Sequence, residues 1–192
     1  MEFIQSLDYQ ILAAIIEYVR SDFLTPLVLF ITHLGDGGAI WLILAALCLI
    51  RRQTRPCGAA MLVALLIGLL VGNMTIKPLV ARPRPFLTYP ELTNLIRQGG
   101  WSFPSAHAMS SFAAATSFYL FFRRKGHAAY GIPCLVLAAL IALSRLYVCV
   151  HYPSDVLCGA LLGVALAFLA TGLVRRGASL YHDFTGGSRH EK

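Results

Sequence analysis

Long uncharged apolar stretches constrain this chain more than any other feature. Cys57–Ile76, Ser105–Phe122, Gly131–Val150 and Val156–Val174 together contain one charged residue, Arg145. Each is close to the ~20 residues that an α-helix needs to cross a hydrocarbon core of ~30 Å. Backbone N–H and C=O groups find no water there, so a spanning segment must bond them internally, as a helix does. A further stretch, Gly37–Ile50, is short, and Arg51 and Arg52 extend it by snorkelling to the headgroups. Composition agrees: hydrophobic residues make up 57% and charged residues 13% of the chain, against about a quarter charged in a soluble domain. The expectation is an all-α fold, a polytopic transmembrane helical bundle of about five spans, with residues 1–192 forming a single membrane-embedded domain.

The ends of the chain read differently. Met1–Arg20 mixes Phe3, Ile4, Leu7, Ile11, Leu12, Ile15 and Ile16 with Glu2, Gln5, Asp8, Gln10 and Glu17, which suits an amphipathic helix lying in the interface. It lacks the basic start and small-residue cleavage site of a signal peptide, so it is expected to stay in the mature protein. Phe23–Leu34 is too short to cross alone, and Gly35-Asp36-Gly37-Gly38 breaks it. Residues 1–36 are therefore read as an interfacial or re-entrant segment, with a kinked continuous helix as the alternative for its second half. Residues 177–192 are read as a mobile cytoplasmic tail. The five cysteines show no metal-ligand spacing and are read as packed or lipid-facing.

Charge between the spans orients the bundle. Arg51, Arg52 and Arg55, then Arg123, Arg124 and Lys125, then Arg175 and Arg176 fall on one side of a five-span bundle, which the positive-inside rule makes cytoplasmic. The stretches Lys77–Ser105 and Arg145–Asp155 then share the opposite face. The net charge of +7 is mostly topological, and the absence of a basic stripe with interleaved aromatics argues against a nucleic-acid partner.

Three residue sets on that opposite face carry chemistry. Lys77, Arg82 and Arg84 stand in a segment stiffened by Pro78, Pro83 and Pro85, and a guanidinium binds two phosphate oxygens in one plane. Contact with lipid headgroups is the plainer reading. Ser105 follows Phe103-Pro104 at an N-cap position, so the free N–H groups of Ala106 and His107 would meet an anion, with the His107 imidazole in the same place. An ordinary cap with an interfacial histidine is the alternative. Arg145 closes an apolar run in which a charge is expensive unless used. His151 follows, and Asp155 lies within reach of it past Pro153 at the first position of a helix. A carboxylate on one ring nitrogen leaves the other free as a nucleophile; a structural Asp–His cap would look the same. His33, near Asp36, is read as packing or interface anchoring. Gly159, Gly163 and Ala167 form a small-residue stripe suited to close helix packing.

Lys77 with Arg84-Pro85, Pro104-Ser105-Ala106-His107, and Ser144-Arg145 with His151 and Asp155 are spaced as Lys-x6-Arg-Pro, Pro-Ser-x-His and Ser-Arg-x5-His-x3-Asp. Together, and in this order, they resemble the type 2 phosphatidic acid phosphatase (PAP2) superfamily of lipid phosphatases and vanadium haloperoxidases. Ala106 departs from the glycine that many members carry, while keeping the backbone N–H. The resemblance implies a PAP2-like bundle and a two-step phosphoryl transfer without metal or cofactor. His151 would attack phosphorus and form a phosphohistidine, Asp155 would stabilise its imidazolium, and His107 would protonate the leaving oxygen. Lys77, Arg84, Ser105, the amides of Ala106 and His107, and Arg145 would bind the phosphate oxygens; Arg82 lies outside the matched positions and is a weaker candidate.

The implied partner is a lipid phosphate held in the bilayer of a bacterial inner membrane, with the site on the extracytoplasmic face. Undecaprenyl diphosphate, whose hydrolysis recycles the peptidoglycan carrier lipid, is the first choice. Phosphatidylglycerol phosphate, phosphatidate and lipid A phosphates remain alternatives, and the sequence assigns no oligomeric state. A haloperoxidase is disfavoured by the spans. A non-catalytic lipid-binding or scramblase-like protein is disfavoured by the presence of both His107 and His151.

Overall fold

Helices form along the apolar stretches, and glycine or proline sits at several of their ends. The structure, a computed structural model, describes residues 2–186, with side chains described through residue 180. In chain order the α-helices are α1 (Glu2–Ala14), α2 (Leu24–Leu34), α3 (Ala39–Ile50), α4 (Arg55–Gly68), α5 (Lys77–Val80), α6 (Pro85–Thr88), α7 (Ala106–Arg124), α8 (Ile132–Tyr147) and α9 (Pro153–Gly186). A π-helical stretch, Leu69–Ile76, joins α4 to α5. Pro56, Pro78, Pro85 and Pro133 stand in first turns, where the missing N–H has no intrahelical partner to lose.

Helix α7 is the centre of the bundle, with α3, α4, α8 and α9 packed around it. Its buried residues are mostly small or hydroxylic: Ala108, Ser111, Ala113, Ala114, Ala115, Thr116 and Ser117 among them. The hydroxyls are largely placed: Trp41 Nε1 donates to Ser111 Oγ at 2.9 Å, and Ser117 Oγ to the Ala113 carbonyl at 2.8 Å. Glycines on α9 set how closely it approaches. A Cβ on Gly159 would stand 2.6 Å from the Ser105 carbonyl oxygen, and one on Gly163 would collide with the Met109 carbonyl oxygen. The small-residue stripe is thus a backbone-to-backbone contact that seats α9 beside the first turn of α7.

Among the described residues, three helical segments are long and apolar enough to cross a membrane: Arg55–Thr88, Ala128–Tyr147 and Pro153–Leu180. The pair α2 and α3, bent by 46°, qualifies as a fourth when taken together. Helix α7, also expected to span, is not in this set. The reason is composition: a helix enclosed by other helices carries Ala and Ser where a lipid-facing one carries Leu. The α2–α3 corner is made by Gly37 (φ +59°) and Gly38 (φ +71°), a conformation that costs glycine little.

Helix α1 buries Asp8 and Leu12 and leaves Phe3, Ile4, Leu7 and Ile11 exposed. Leu12 packs with Leu92, Cys149, Tyr152 and Val156, so α1 is seated on the end of the bundle where the motif residues gather. In the C-terminal segment, α9 continues as a helix through Gly186. The rest of that segment, residues 187–192, lies outside the described residues. No pairing joins the cysteines: all five are free thiols, and Cys48, Cys57 and Cys149 are buried.

Candidate active site

The loop between α8 and α9 turns sharply at Cys149 (φ +56°) and delivers His151, 2% exposed, into the interior. Four residues on, in the first turn of α9, Asp155 is fully buried. His151 Nδ1 lies 3.6 Å from Asp155 Oδ2, and His151 Nε2 lies 3.4 Å from Arg84 Nη1. One ring nitrogen therefore faces a carboxylate and the other a guanidinium. Burial drives the imidazole down to about 3; Asp155 opposes the fall, while the charges of Arg84 and Arg145 add to it. At neutral pH the ring is uncharged, and the arrangement favours the tautomer with its proton on Nδ1 and a lone pair on Nε2.

Asp155 is held by more than the histidine. Oδ2 also accepts from Ser102 Oγ at 2.5 Å and from the Tyr152 backbone N–H at 3.0 Å, and Oδ1 accepts from Arg82 Nη1 at 2.5 Å. Arg82 reaches on to Asp8 Oδ2 at 2.7 Å, and Asp8 also receives the N–H and hydroxyl of Ser154. The Arg82 guanidinium lies over the Tyr152 ring, 3.9 Å from its centroid. Arg82, a weaker candidate in the sequence because it lies outside the matched motif positions, is thus the arginine paired with Asp155 among the described residues. Asp8, read as part of an amphipathic helix, is a buried anchor tying α1 to the site.

The remaining predicted residues fall into two groups. Arg84, 2% exposed, sits in a cage of backbone carbonyls: its N–H groups donate to Gly99, Gly100, Trp101 and Val150 at 2.7–3.2 Å. Those bonds fix the guanidinium beside His151. Ser105 takes the N-cap position of α7 without capping it; its N–H donates to the Asp155 carbonyl at 3.1 Å, and its buried hydroxyl has no partner among the described residues. Around the second histidine, Arg145 donates from Nη1 to Thr32 Oγ1 at 2.6 Å and from Nη2 to Gln98 Oε1 at 2.8 Å, while its buried Nε has no partner among the described residues. Lys77, half-buried at the start of α5, and Arg145 both act electrostatically on His107. His107 Nε2 lies 3.0 Å from Asp36 Oδ1. Ala106 and His107 also border an apolar cavity of about 560 Å³ whose wall includes Leu42, Leu62, Leu65, Leu66 and Leu69.

Two imidazoles, a set of guanidiniums and an ammonium thus converge where α5, α7, α8 and α9 meet. Such an array suits an anion that gains charge during reaction. The PAP2 superfamily model matches residues 57–177, a range containing every one of the motif residues. The chain is a phosphatase of the PAP2 superfamily. Among PAP2 relatives, an undecaprenyl-diphosphatase of Sulfolobus acidocaldarius is 30% identical over 85% of this chain and 77% of its own length. A decaprenylphosphoryl-5-phosphoribose phosphatase of Mycobacterium tuberculosis is 41% identical over 71% of this chain and 72% of its own. The crystal structure of a transmembrane PAP2 phosphatidylglycerolphosphate phosphatase from Bacillus subtilis superimposes with a TM-score of 0.77 at 28% identity, covering 92% of this chain and 88% of that one. The PAP2 fold, the lipid-phosphatase family and a membrane location follow from these likenesses.

Sequence reasoning missed Ser102, Thr32, Gln98, Asp8 and Asp36. Asp8 and Asp36 carried a usable signal, being isolated acids, one among the apolar residues of α1 and one between glycines. Ser102, Thr32 and Gln98 carried none.

Proposed function

We propose that the chain hydrolyses a terminal phosphate from a polyprenyl lipid, with undecaprenyl diphosphate going to undecaprenyl phosphate as the first substrate. The observation that carries the chemistry is His151, uncharged and buried between Asp155 and Arg84. His151 Nε2 attacks phosphorus, forming a P–N bond as the P–O bond to the lipid breaks. Its electron pair leaves on the lipid oxygen, which takes a proton from His107. Water then attacks the phosphohistidine, giving its proton to His107, and the P–N electrons return to Nε2. Asp155 balances the imidazolium that exists between the two steps. Arg84, Arg145, Lys77, Ser105 and the amides of Ala106 and His107 bind the phosphate oxygens. Leaving a buried donor unpaired costs ~1–3 kcal/mol, a cost that a phosphate oxygen at Ser105 Oγ or Arg145 Nε would relieve. No metal or cofactor takes part in these steps.

The leucine-lined cavity beside His107 supports a lipid as the leaving group, since it suits the first units of an apolar chain. Two of the relatives named above carry polyprenyl substrates in their names, which favours that class. Phosphatidylglycerol phosphate is the second reading, favoured by the likeness to the Bacillus subtilis enzyme. A five-span reading, with α7 counted as a span enclosed by protein, supports a site at the extracytoplasmic face of a bacterial inner membrane, because the arginine-rich connections then fall on the opposite, cytoplasmic side. The deciding experiment is phosphate release from a panel of purified lipid phosphates. Undecaprenyl diphosphate should be turned over fastest, undiminished by EDTA, and His151→Ala should lose at least ~10³-fold. Wild-type release by that variant would remove the nucleophile, and faster release from phosphatidylglycerol phosphate would reverse the substrate order.

A further inference from the structure

Asp36 stands on the glycine corner between α2 and α3, and histidines from two elements take its two oxygens. Oδ2 lies 2.8 Å from His33 Nδ1, and Oδ1 lies 3.0 Å from His107 Nε2. Burial does not explain the carboxylate's presence, since its side chain is 56% exposed. Nor does capping, because it accepts no backbone N–H among the described residues. The corner presses directly on the same ring: a Cβ on Gly35 would stand 2.7 Å from His107 Cδ2 and 2.6 Å from Ile141 Cγ2. Cδ2 and Nε2 share one edge of an imidazole, so that edge faces the corner and Nδ1 lies on the other. Among the described residues Nδ1 makes no hydrogen bond.

We infer that Asp36 is the positioning residue of the acid His107, and that His33 holds Asp36 in turn. The inference rests on His107 being the proton donor of the proposed reaction. A carboxylate on Nε2–H makes Nδ1 the atom that gives its proton to the lipid oxygen and recovers one from water, just as Asp155 on Nδ1 of His151 makes Nε2 the nucleophile. The charged and titratable groups acting on the ring are Asp36 with His33 behind it, Lys77 from α5 and Arg145 from α8. Asp36 is the anion set against those two cations. The site then contains two His–Asp pairs, one buried for the nucleophile and one open to solvent for the acid.

Leaving-group dependence separates this role from a structural one. 4-Nitrophenolate departs without a proton, whereas the alkoxide of dodecyl phosphate needs one. With the full chain in detergent micelles, kcat/KM reports the first step for both substrates. Asp36→Asn should lose about 10- to 100-fold on dodecyl phosphate, part of the 10²–10⁴ typical of general acid catalysis, and less than about 3-fold on 4-nitrophenyl phosphate. Asp36→Glu should restore most of the loss, and His33→Asn should show the same selectivity at about 3- to 10-fold. Equal losses on both substrates in Asp36→Asn, with an unchanged Tm, would overturn the inference. Should that variant lose Tm, exposed His33→Asn decides in the same way. His107→Ala is the control: selective loss there with none in Asp36→Asn sinks the inference alone, while unselective loss in His107→Ala sinks the acid assignment and this inference with it.

Discussion

Ser102 Oγ donates to Asp155 Oδ2 at 2.5 Å, while His151 Nδ1 stands 3.6 Å from that same oxygen. The hydroxyl, more than the imidazole, fixes the carboxylate in the resting enzyme. A hydrogen bond to a charged group contributes ~1.5–3 kcal/mol, so Ser102→Ala should lower kcat by about 10- to 100-fold while Ser102→Thr keeps most of it. A fully active Ala variant, measured by steady-state phosphate release, would free Ser102 of that role. His151 also predicts a pH effect on folding. Its imidazole falls from an ordinary 6.5 to about 3 in the folded chain, so between those values the unfolded state binds the extra proton. Stability then rises with pH across that window and is lost as pH falls through it. In detergent, Tm should drop from pH 6.5 to pH 4 by more in the wild type than in His151→Asn; parallel curves would count against it.

Gly163 shows what the elements contribute. A Cβ there would collide with the Met109 carbonyl oxygen, and the same α7–α9 contact includes the Ser105 N–H to Asp155 carbonyl bond. Gly163→Val should push the helices apart, costing ~1–3 kcal/mol by overpacking. Activity should fall by more than Tm alone accounts for, because Ser105 and Asp155 move with the helices; a variant with wild-type kcat would show that the seat is not strict. That contact was legible in the sequence, since glycine and alanine four residues apart on a helix lie on one face. His151 and Asp155 were legible because Pro153 marks the start of a helix, which puts Asp155 in the first turn and within reach of His151 just before it. The pairing of Arg82 with Asp155 was not, because which of two neighbouring arginines faces a carboxylate depends on the turn of the loop between α5 and α6. Asp8 with Arg82, and Asp36 with His107, bridge 74 and 71 positions, beyond the reach of local periodicity.

At the scale of the whole molecule, the face on which the site opens can be tested directly. A Cβ on Gly99 would meet nothing within 4 Å, so Gly99→Cys should fold normally and react with an impermeant thiol reagent in intact cells. Labelling only after lysis would invert the proposed orientation. The enclosed position of α7 has a consequence for how the protein is made. A segment whose inward surface is alanine and hydroxyl gains little by partitioning into lipid alone. It becomes comfortable at that depth only once leucine-rich neighbours cover it, two of which, α8 and α9, are synthesised later. On the proposed five-span reading, the helix that follows Ser105 and carries His107 should depend on completion of the chain, and biogenesis should pass through a stage in which the proposed phosphate-binding turn exists but its helix is not yet committed to the bilayer.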